Sequence, residues 1–334
     1  MTRPKTPIFS ISDWGQILHG LWPGKPKFKE DQYPSLEGKV VIVTGGNAGL
    51  GYQTVKSLAG STKAKIYIFS RNKEKTLEGI EQLKKEVADE YKVKNREIGF
   101  IQVDLSDLTS IKPAVEEFLK KENRLDIIIN NAGVMMPPRG SKTKQGYELQ
   151  LGTNVLGHHL LQRLLDPIFI KTSEKNPKGL SRIVWLSSTY HMYAPKGGIF
   201  WDDINFEKVP DSLTTNVKKQ IYGQSKAALL IEARTWSRKH DYPNVISSSI
   251  CPGYLSTGLQ KYASPMEKFA YKYILHPQRL GAYTELYAAF SPDVKDGDYS
   301  VSFGVPGKPR KDLLDDKIGD KLWAWLDEET NPYV

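Results

Sequence analysis

The sequence has little cysteine and no site for N-linked glycosylation. Cys251 is the one cysteine in 334 residues, which excludes an internal disulfide and a cysteine-based zinc site. No Asn-x-Ser/Thr tripeptide occurs, and both absences are typical of a reducing compartment. We therefore expect a cytoplasmic protein that is not secreted.

Long apolar runs are also missing. Residues 1–10 carry basic side chains and two prolines, but no apolar stretch of the length that a cleaved signal peptide needs. No other stretch is long and apolar enough for a membrane-spanning helix. The composition thus predicts neither a signal peptide nor a transmembrane segment.

A short amphipathic helix is expected near the N-terminus. Its apolar side chains are Trp14, Ile17, Leu18 and Leu21. Asp13 is the expected N-cap, with Gln16 three positions later. One interpretation docks this apolar face on the protein's own domain. The alternative is peripheral contact of residues 8–22 with a lipid surface.

The charge of +9 is spread along the chain rather than gathered in blocks of like sign. This pattern argues against a nucleic-acid partner and suits solvated surfaces together with a phosphate-bearing cofactor. His158 and His159 are adjacent and point apart on a helix, and no H-E-x-x-H motif occurs. No metal site is therefore expected.

Short apolar runs alternate with longer helical stretches. The predicted strands are Lys39–Thr44, Lys65–Ser70, Phe100–Val103, Leu125–Asn130, Arg182–Ser187 and Val245–Ile250. The predicted helices between and after them are Gly49–Gly60, Asn72–Lys92, Asp107–Asn123, Gly146–Lys171 and Tyr222–His240. Continuously apolar strands of this kind belong to parallel sheets that are covered on both faces.

This alternation predicts an α/β fold, a Rossmann-type doubly wound parallel sheet of about seven strands with helices on both faces. Residues 1–36 form an N-terminal extension, and residues 37–334 are expected to be one domain. That domain includes an insertion at 189–221 and a helical tail at 304–334. Ligands of such sheets bind beyond the carboxyl ends of the strands.

A glycine-rich loop, residues 44–51 (TGGNAGLG), follows the first strand and opens a helix. Glycines allow a tight turn and a close approach of backbone to a pyrophosphate, and the helix N-terminus supplies free N–H groups. An ordinary strand–helix turn is the alternative interpretation. The expected cofactor contacts here are Gly45, Asn47, Gly49, Leu50 and Gly51.

The end of the second strand indicates which dinucleotide would bind. An NAD enzyme of this architecture has an acidic residue there to bind the ribose 2′-hydroxyl. Here the strand ends at Ser70, followed by Arg71, with Lys75 close by. A guanidinium suits a 2′-phosphate, so the sequence predicts NADP(H). The alternative is that Arg71 merely begins a charged helix.

Taken together, these motifs resemble the short-chain dehydrogenase/reductase superfamily over residues 39–258. The resemblance implies further cofactor contacts, namely Asp104, Leu105, Asn131, Ala132, Gly133, Tyr222, Lys226, Pro252, Gly253, Leu255 and Thr257. It also implies a catalytic set of Asn154, Ser188, Tyr222 and Lys226, the last two in a Y-x-x-x-K motif.

Several segments are similar to the branch that contains the retinol dehydrogenases and the WW-domain oxidoreductase. They are Asn154–Leu161 (NVLGHHLL) and Tyr222–Ala228 (YGQSKAA). Two others, Pro26–Gly38 and Gly307–Trp325, resemble fungal members of that branch.

The resemblance implies a division of labour among the catalytic residues. Tyr222 would exchange a proton with the substrate, with its pKa lowered by Lys226 and by the oxidised nicotinamide. Ser188 would bind the substrate oxygen. Lys226 would also hold the nicotinamide ribose, and Asn154 would anchor a water that connects Lys226 to solvent.

The function expected from this set is hydride transfer between NADP(H) and a carbonyl or alcohol. A non-catalytic NADP(H)-binding regulator and an epimerase or dehydratase are the alternatives. Aromatic residues in the segments expected to wall the pocket favour a bulky apolar ketone or aldehyde, unless they pack on one another instead. They are Tyr190, Tyr193, Trp201, Phe206, Tyr254, Tyr262, Phe269 and Tyr271.

The long connection 189–221 separates Ser188 from Tyr222, which must meet at one substrate oxygen. It must therefore loop outward where substrate enters, and we expect it to form a wall or lid. Because the family pairs subunits through neighbouring helices, this insertion could also cover the pairing face. The chain is thus expected to be a monomer or a homodimer.

Overall fold

The computed structural model describes residues 4–5, 8–210, 214–256 and 274–334. Its strands are β1 Val40–Thr44, β2 Lys65–Ser70, β3 Ile98–Gln102, β4 Ile127–Asn130, β5 Ser181–Leu186, β6 Val245–Ile250, β7 Tyr299–Val301 and β8 Val305–Pro306. Its longer helices are α1 Ile11–Leu21, α2 Gly49–Ser61, α3 Lys73–Tyr91, α4 Ile111–Lys121, α5 Gly157–Ser173, α6 Thr214–His240, α7 Gln278–Phe290 and α8 Asp316–Thr330.

The strands form one eight-stranded sheet in the order β3-β2-β1-β4-β5-β6-β7-β8. All neighbouring pairs are parallel except β7 and β8, which are antiparallel. Every residue of β1 and of β4 is buried, as continuous apolar runs require. The predicted doubly wound Rossmann-type fold is confirmed, and the carboxyl ends of its parallel strands meet at one edge.

Alternate strand residues face two separate helix layers. Ile42 and Trp185 pack with α4, α5 and α6 in one apolar cluster. Val41 and Val43 pack with α2, α3 and α7 in the other. Burial of each large apolar side chain contributes roughly 1.5–3 kcal/mol, so both faces of the sheet are held firmly.

Two predicted helix boundaries were wrong. The helix expected from Gly146 begins instead with a π-helical turn, Leu151–Leu156. The Glu148 carboxylate caps this start by accepting hydrogen bonds from the Gln150 and Leu151 N–H groups. The helix expected from Tyr222 begins earlier, at Thr214. The end of the insertion is therefore helical.

The N-terminal helix α1 differs from its prediction in its N-cap and in the packing of its apolar face. Ser10, rather than Asp13, is the N-cap, and Asp13 completes a capping box with it. Of the apolar face expected to pack on the domain, Trp14 and Leu18 are exposed, whereas Ile17 and Leu21 are half-buried. Among the helices that the structure describes, none is long and apolar enough to cross a membrane.

The C-terminal helix α8 covers part of α6 and α5. Leu322 and Leu326 are buried against that layer. His159 on α5 bonds Glu232 on α6 through Nδ1 and Asp327 on α8 through Nε2, at 2.8 and 3.1 Å. The tail therefore shares the cover over this layer with the 189–221 insertion, whose Ala194 and Ile199 pack into the same apolar cluster.

Candidate active site

The glycine-rich loop turns tightly between β1 and α2. Gly45 and Gly49 have φ values of 67° and 61°, a region that side chains rarely adopt. A Cβ at Gly51 would lie 2.4 Å from Asn131 Nδ2, so only glycine lets α2 approach β4 this closely. Leu50 is buried and Asn47 is half-buried.

The N-terminus of α2 offers its amides to a ligand. No side chain among the described residues caps this helix at Ala48. A Cβ at Gly49 would meet nothing within 4 Å, so the space above the loop is open. Uncapped N–H groups at the positive end of a helix dipole are suited to an anion such as a pyrophosphate.

Two exposed basic side chains, those of Arg71 and Lys75, follow the end of β2. Ser70 is buried and its hydroxyl lies 2.6 Å from that of Thr76, inside the fold. Arg71 and Lys75 are exposed, and neither charged group has a hydrogen-bond or ion-pair partner among the described residues. Asn72 caps α3 by accepting from the Lys75 N–H at 2.9 Å. Arg71 does precede the charged helix α3, as the alternative interpretation expected, so its position in the chain is compatible with both interpretations.

The loop after β3 is held by short polar bonds. Asp104 Oδ1 accepts from the Ser106 N–H and hydroxyl at 2.9 and 2.6 Å. Leu105 is buried against α5, where its carbonyl oxygen would lie 2.4 Å from a Cβ placed at Gly157. Asp104 therefore presents a half-buried carboxylate at the same sheet edge as the glycine-rich loop.

The residues after β4 are tied to β1. Asn131 Nδ2 donates to the Thr44 carbonyl at 2.7 Å, and the Ala132 N–H donates to Thr44 Oγ1 at 2.9 Å. Thr44 Oγ1 also lies 2.9 Å from His158 Nε2. Burial lowers the pKa of His158 to about 4, so His158 is a neutral structural contact of the loop.

Asn154 and Lys226 converge beside Gly133. A Cβ at Gly133 would lie 3.1 Å from Asn154 Oδ1 and 3.8 Å from Lys226 Nζ. Asn154 exchanges hydrogen bonds with the Val134 backbone at 2.8 and 3.0 Å and donates to Ser225 Oγ at 3.1 Å. Asn154 lies within the π-helical turn, which no local pattern had indicated.

Ser188 and Tyr222 also come together at this edge. Ser188 lies just beyond β5 and caps the short helical turn Thr189–Tyr193. The phenol of Tyr222 lies close enough to the Ser188 hydroxyl for that group to lower its pKa. Lys226 Nζ lies 5.7 Å from the centre of the Tyr222 ring and donates to the Leu186 carbonyl at 2.7 Å.

Burial dominates the electrostatics of the site. It raises the pKa of Tyr222 well above its ordinary value, with smaller contributions from Tyr190 and Cys251. Burial also lowers the pKa of Lys226 to about 8, although Cys251 and Glu285 oppose that shift. The expected lowering of the Tyr222 pKa depends on Lys226 together with an oxidised nicotinamide, and it stays a prediction.

The segment after β6 closes against the glycine-rich loop. Gly253 has a φ of 96°, and a Cβ there would lie 2.8 Å from Ser302 Cβ. Leu255 is buried in one apolar cluster with Leu50 of the loop. Pro252 precedes this turn, and Thr257 lies outside the described residues.

The insertion contributes unevenly to the pocket. The Tyr190 ring lies 5.3 Å from that of Tyr222, so the first turn of the insertion walls the site. Phe206 lines a different cavity, of about 370 Å³, beside Ile221, and neither Ser188 nor Tyr222 is among the residues that line it. Trp201 instead packs against Trp325 of α8, 6.2 Å away, so its expected place in the pocket is wrong. Tyr262, Phe269 and Tyr271 lie outside the described residues.

Sequence reasoning missed a buried arginine that holds the serine-bearing turn. The guanidinium of Arg310 donates to the carbonyls of four insertion residues, of which Ala194 and Pro195 are both 2.7 Å away. The Arg310 N–H donates to His191 Nε2 at 3.3 Å, and His191 Nδ1 donates to the Ser188 carbonyl at 2.7 Å. No motif near Arg310 signals this contact.

These features fit a dinucleotide. The uncapped helix, the two glycines with positive φ and the open space above Gly49 accommodate a pyrophosphate. Ser188, Tyr222 and Lys226 lie at the neighbouring strand ends, where a ligand of this fold reaches across the switch point between β1 and β4. Fold and site together define an α/β nucleotide-binding protein with a polar Ser-Tyr-Lys cluster.

Comparison with known proteins assigns the family. The sequence profile of the short chain dehydrogenase family matches residues 39–199. A short-chain dehydrogenase/reductase of Armillaria gallica is 37% identical over 319 residues, covering 95% of this chain and 98% of the relative. An uncharacterized oxidoreductase of Schizosaccharomyces pombe is 38% identical, covering 80% of this chain and 77% of the relative. The chain belongs to the short-chain dehydrogenase/reductase family and is an oxidoreductase.

Solved structures agree on the fold. A protein from Mycobacterium paratuberculosis has a TM-score of 0.66 at 25% identity, covering 91% of this chain and 97% of its own. A Pseudomonas aeruginosa NADP complex has a TM-score of 0.60 at 21% identity, covering 81% and 96%. A 3-ketoacyl-(acyl-carrier-protein) reductase from Brucella melitensis, complexed with NADH, has a TM-score of 0.57 at 21% identity, covering 80% and 97%. The retinol dehydrogenase branch stays a prediction.

Proposed function

We propose that this protein is an NADP(H)-dependent carbonyl reductase or alcohol dehydrogenase whose substrate is a bulky apolar ketone or aldehyde, or the matching alcohol. The observation that carries the proposal is the meeting of Ser188, Tyr222, Lys226 and Asn154 beside the glycine-rich loop. An oxidoreductase of this family needs a proton donor and an oxygen-binding group next to its cofactor, and these residues supply both.

The cofactor would be held along the sheet edge. The amides at the start of α2 would bind its pyrophosphate, and the half-buried Asp104 would contact the adenine. Lys226 would hold the nicotinamide ribose beside Gly133, and Leu255 would close over the nicotinamide. Bound there, the nicotinamide would supply or accept a hydride.

The protein's own residues would manage the proton. Because burial raises the pKa of Tyr222, its phenol keeps its proton at neutral pH and can donate it to a carbonyl oxygen. Ser188 would hydrogen-bond the same oxygen as negative charge develops on it. A charged Lys226 would stabilise the phenolate that remains, and Asn154 fixes the loop beside that lysine.

The preference for NADP(H) rests on the end of β2. Arg71 and Lys75 are exposed and unpaired within the described chain, and no acidic residue ends this strand. A guanidinium can make a bidentate, charge-assisted contact with a 2′-phosphate, whereas a neutral 2′-hydroxyl offers it a weaker single hydrogen bond. Arg71→Asp should therefore weaken NADPH binding about tenfold or more while NADH binding changes little, as titration of each cofactor would measure. Lys85→Asp, the same charge change farther along α3, is the control.

One assay tests the reaction class. NADPH oxidation, followed by absorbance, should proceed with bulky apolar ketones or aldehydes and be faster than with NADH. A protein that binds NADPH without turning over any carbonyl would support a regulatory role and contradict the proposal. Conversion of a substrate with no net change in NADPH would support epimerase or dehydratase chemistry.

A further inference from the structure

Helix α1 and the residues that flank it carry a stripe of exposed apolar side chains. The relative exposures are 97% for Ile8, 94% for Ile11, 54% for Trp14, 52% for Leu18 and 75% for Trp22. Ile11, Trp14 and Leu18 are spaced by three and four positions, so they share one helix face, and Trp22 is the C-cap residue four positions after Leu18. Large apolar side chains are seldom this exposed together, and such a patch indicates an interaction surface.

The opposite face of α1 fixes the helix to the protein. Gln16 exchanges two hydrogen bonds with the Lys308 backbone, and His19 Nε2 donates to the Ser302 carbonyl. Gly20 is buried against Tyr254, whose ring would lie 2.7 Å from a Cβ at that position. Because these polar and small residues dock the helix, the apolar stripe faces away from the protein and does not contribute to its core.

Positive charge borders the stripe. Asp13 is the single acidic residue within positions 1–29, and it is buried with its carboxylate bonded to Ser10. Lysines lie before and after the helix, and all of those that follow are exposed. They are Lys5, Lys25, Lys27 and Lys29. An apolar stripe with cationic flanks is complementary to an anionic lipid surface.

The same segment reaches the proposed substrate cleft. The Phe9 ring lies 5.5 Å from Trp14 on the stripe and 5.3 Å from Tyr193. Tyr193 lies 5.4 Å from Tyr190, which in turn contacts Tyr222. A continuous series of aromatic contacts therefore joins the stripe to the proposed proton donor, Tyr222.

We propose that α1 lies on an anionic lipid membrane through its stripe of Ile8, Ile11, Trp14, Leu18 and Trp22, and that the cleft takes apolar carbonyl substrates from that surface. The lipid contact stands on its own, whereas the source of the substrate rests on the proposed function. A second copy of the chain is a poorer occupant, since stripe-to-stripe pairing would bring two sets of lysines together.

Vesicle flotation tests the lipid contact without activity. The full-length protein should float with phosphatidylcholine vesicles that contain phosphatidylserine, and much less with phosphatidylcholine alone. Ile11→Ser combined with Leu18→Ser should lower the partition coefficient about tenfold or more, because both side chains leave the membrane interface. Leu77→Ser with Leu119→Ser, which alters side chains of 45% and 43% exposure elsewhere, should float like the wild type.

Three results would overturn the proposal. They are flotation with neither vesicle type, equal flotation of the stripe variant, and equal binding to neutral vesicles. Light scattering that showed a dimer dissociated by the stripe substitutions, without flotation, would assign the stripe to a second copy instead.

An activity measurement keeps the two proposals apart. The stripe variant should reduce a short, water-soluble aldehyde at the wild-type rate, yet reduce a long-chain ketone embedded in anionic vesicles about tenfold more slowly. Absence of turnover with every carbonyl, together with normal flotation, would refute the proposed function but not the lipid contact. An equal rate with the embedded ketone would refute delivery from the membrane.

Discussion

Contacts on the cofactor-facing side of the cleft join strand ends that are neighbours in the sheet, whereas those on the substrate-facing side come from the two ends of the chain. Thr44 at the end of β1 binds Asn131 and Ala132 at the end of β4. Ser188, by contrast, is held through His191 by Arg310, and Tyr254 is covered by Gly20.

This difference indicates which residues of the site can be substituted without disturbing the central sheet. The cofactor side depends on backbone geometry, so its glycines cannot change independently of the sheet. The substrate side depends on appended segments that can change without disturbing β1 to β4. We therefore expect substitutions on the first side to alter cofactor affinity and those on the second to alter turnover.

The largest effect is expected for Tyr222→Phe. It removes the proton donor and leaves the ring, so kcat should fall about a thousandfold while the Kd for NADPH changes less than about twofold. Tyr190→Phe keeps the ring that contacts Tyr222 and should cost only a few-fold. An undiminished kcat in the Tyr222 variant would break the assignment of the proton donor.

The pH dependence of turnover should report Lys226. Burial lowers its pKa to about 8, so the ammonium is present below that pH and is lost as the pH rises through it. Tyr222 keeps its proton over the same range, because burial raises its pKa. In the reductive direction, kcat/KM for the cofactor should be level below pH 8 and fall about a hundredfold by pH 10. A level profile to pH 10 would contradict this role.

Gly51→Ala should weaken NADPH binding about tenfold or more, as measured by fluorescence titration. Its Cβ would meet Asn131 Nδ2 at 2.4 Å and the Gly45 carbonyl oxygen at 2.7 Å, so the loop must shift. Gly79→Ala on α3 is a matched control, since its Cβ would contact only the Asn47 oxygen at 3.4 Å. A fall in kcat at saturating NADPH, with the affinity for NADPH unchanged, would contradict the expectation that the cofactor-facing side controls cofactor affinity.

The smallest effect is expected for Arg310→Lys, which cannot span four carbonyl groups. We expect kcat to fall about three- to tenfold with no change in the Kd for NADPH. Arg182→Lys is the control. Arg182 is also buried, and it donates to three backbone carbonyls near the amino end of β5, away from Ser188. If both variants lost stability and turnover equally, Arg310 would have no particular link to Ser188.

The sequence by itself determined the positions of the strands, the glycine-rich loop and the position of the Y-x-x-x-K motif. Each of these is encoded within about ten residues, because strand periodicity, glycine conformations and helix spacing are local properties. The predicted strand ends therefore lay within a few residues of those observed, and the predicted catalytic residues Asn154, Ser188, Tyr222 and Lys226 lie together at one edge of the sheet.

Only the tertiary structure decided what surrounds that edge. Gln16 and Lys308 are 292 positions apart, and His191 and Arg310 are 119 apart, so no local pattern links them. The outward turn of the α1 stripe and the packing of Trp201 on Trp325 follow from the same long-range contacts. A periodic apolar pattern tells which residues share a helix face, but the direction of that face depends on how the rest of the chain packs around it.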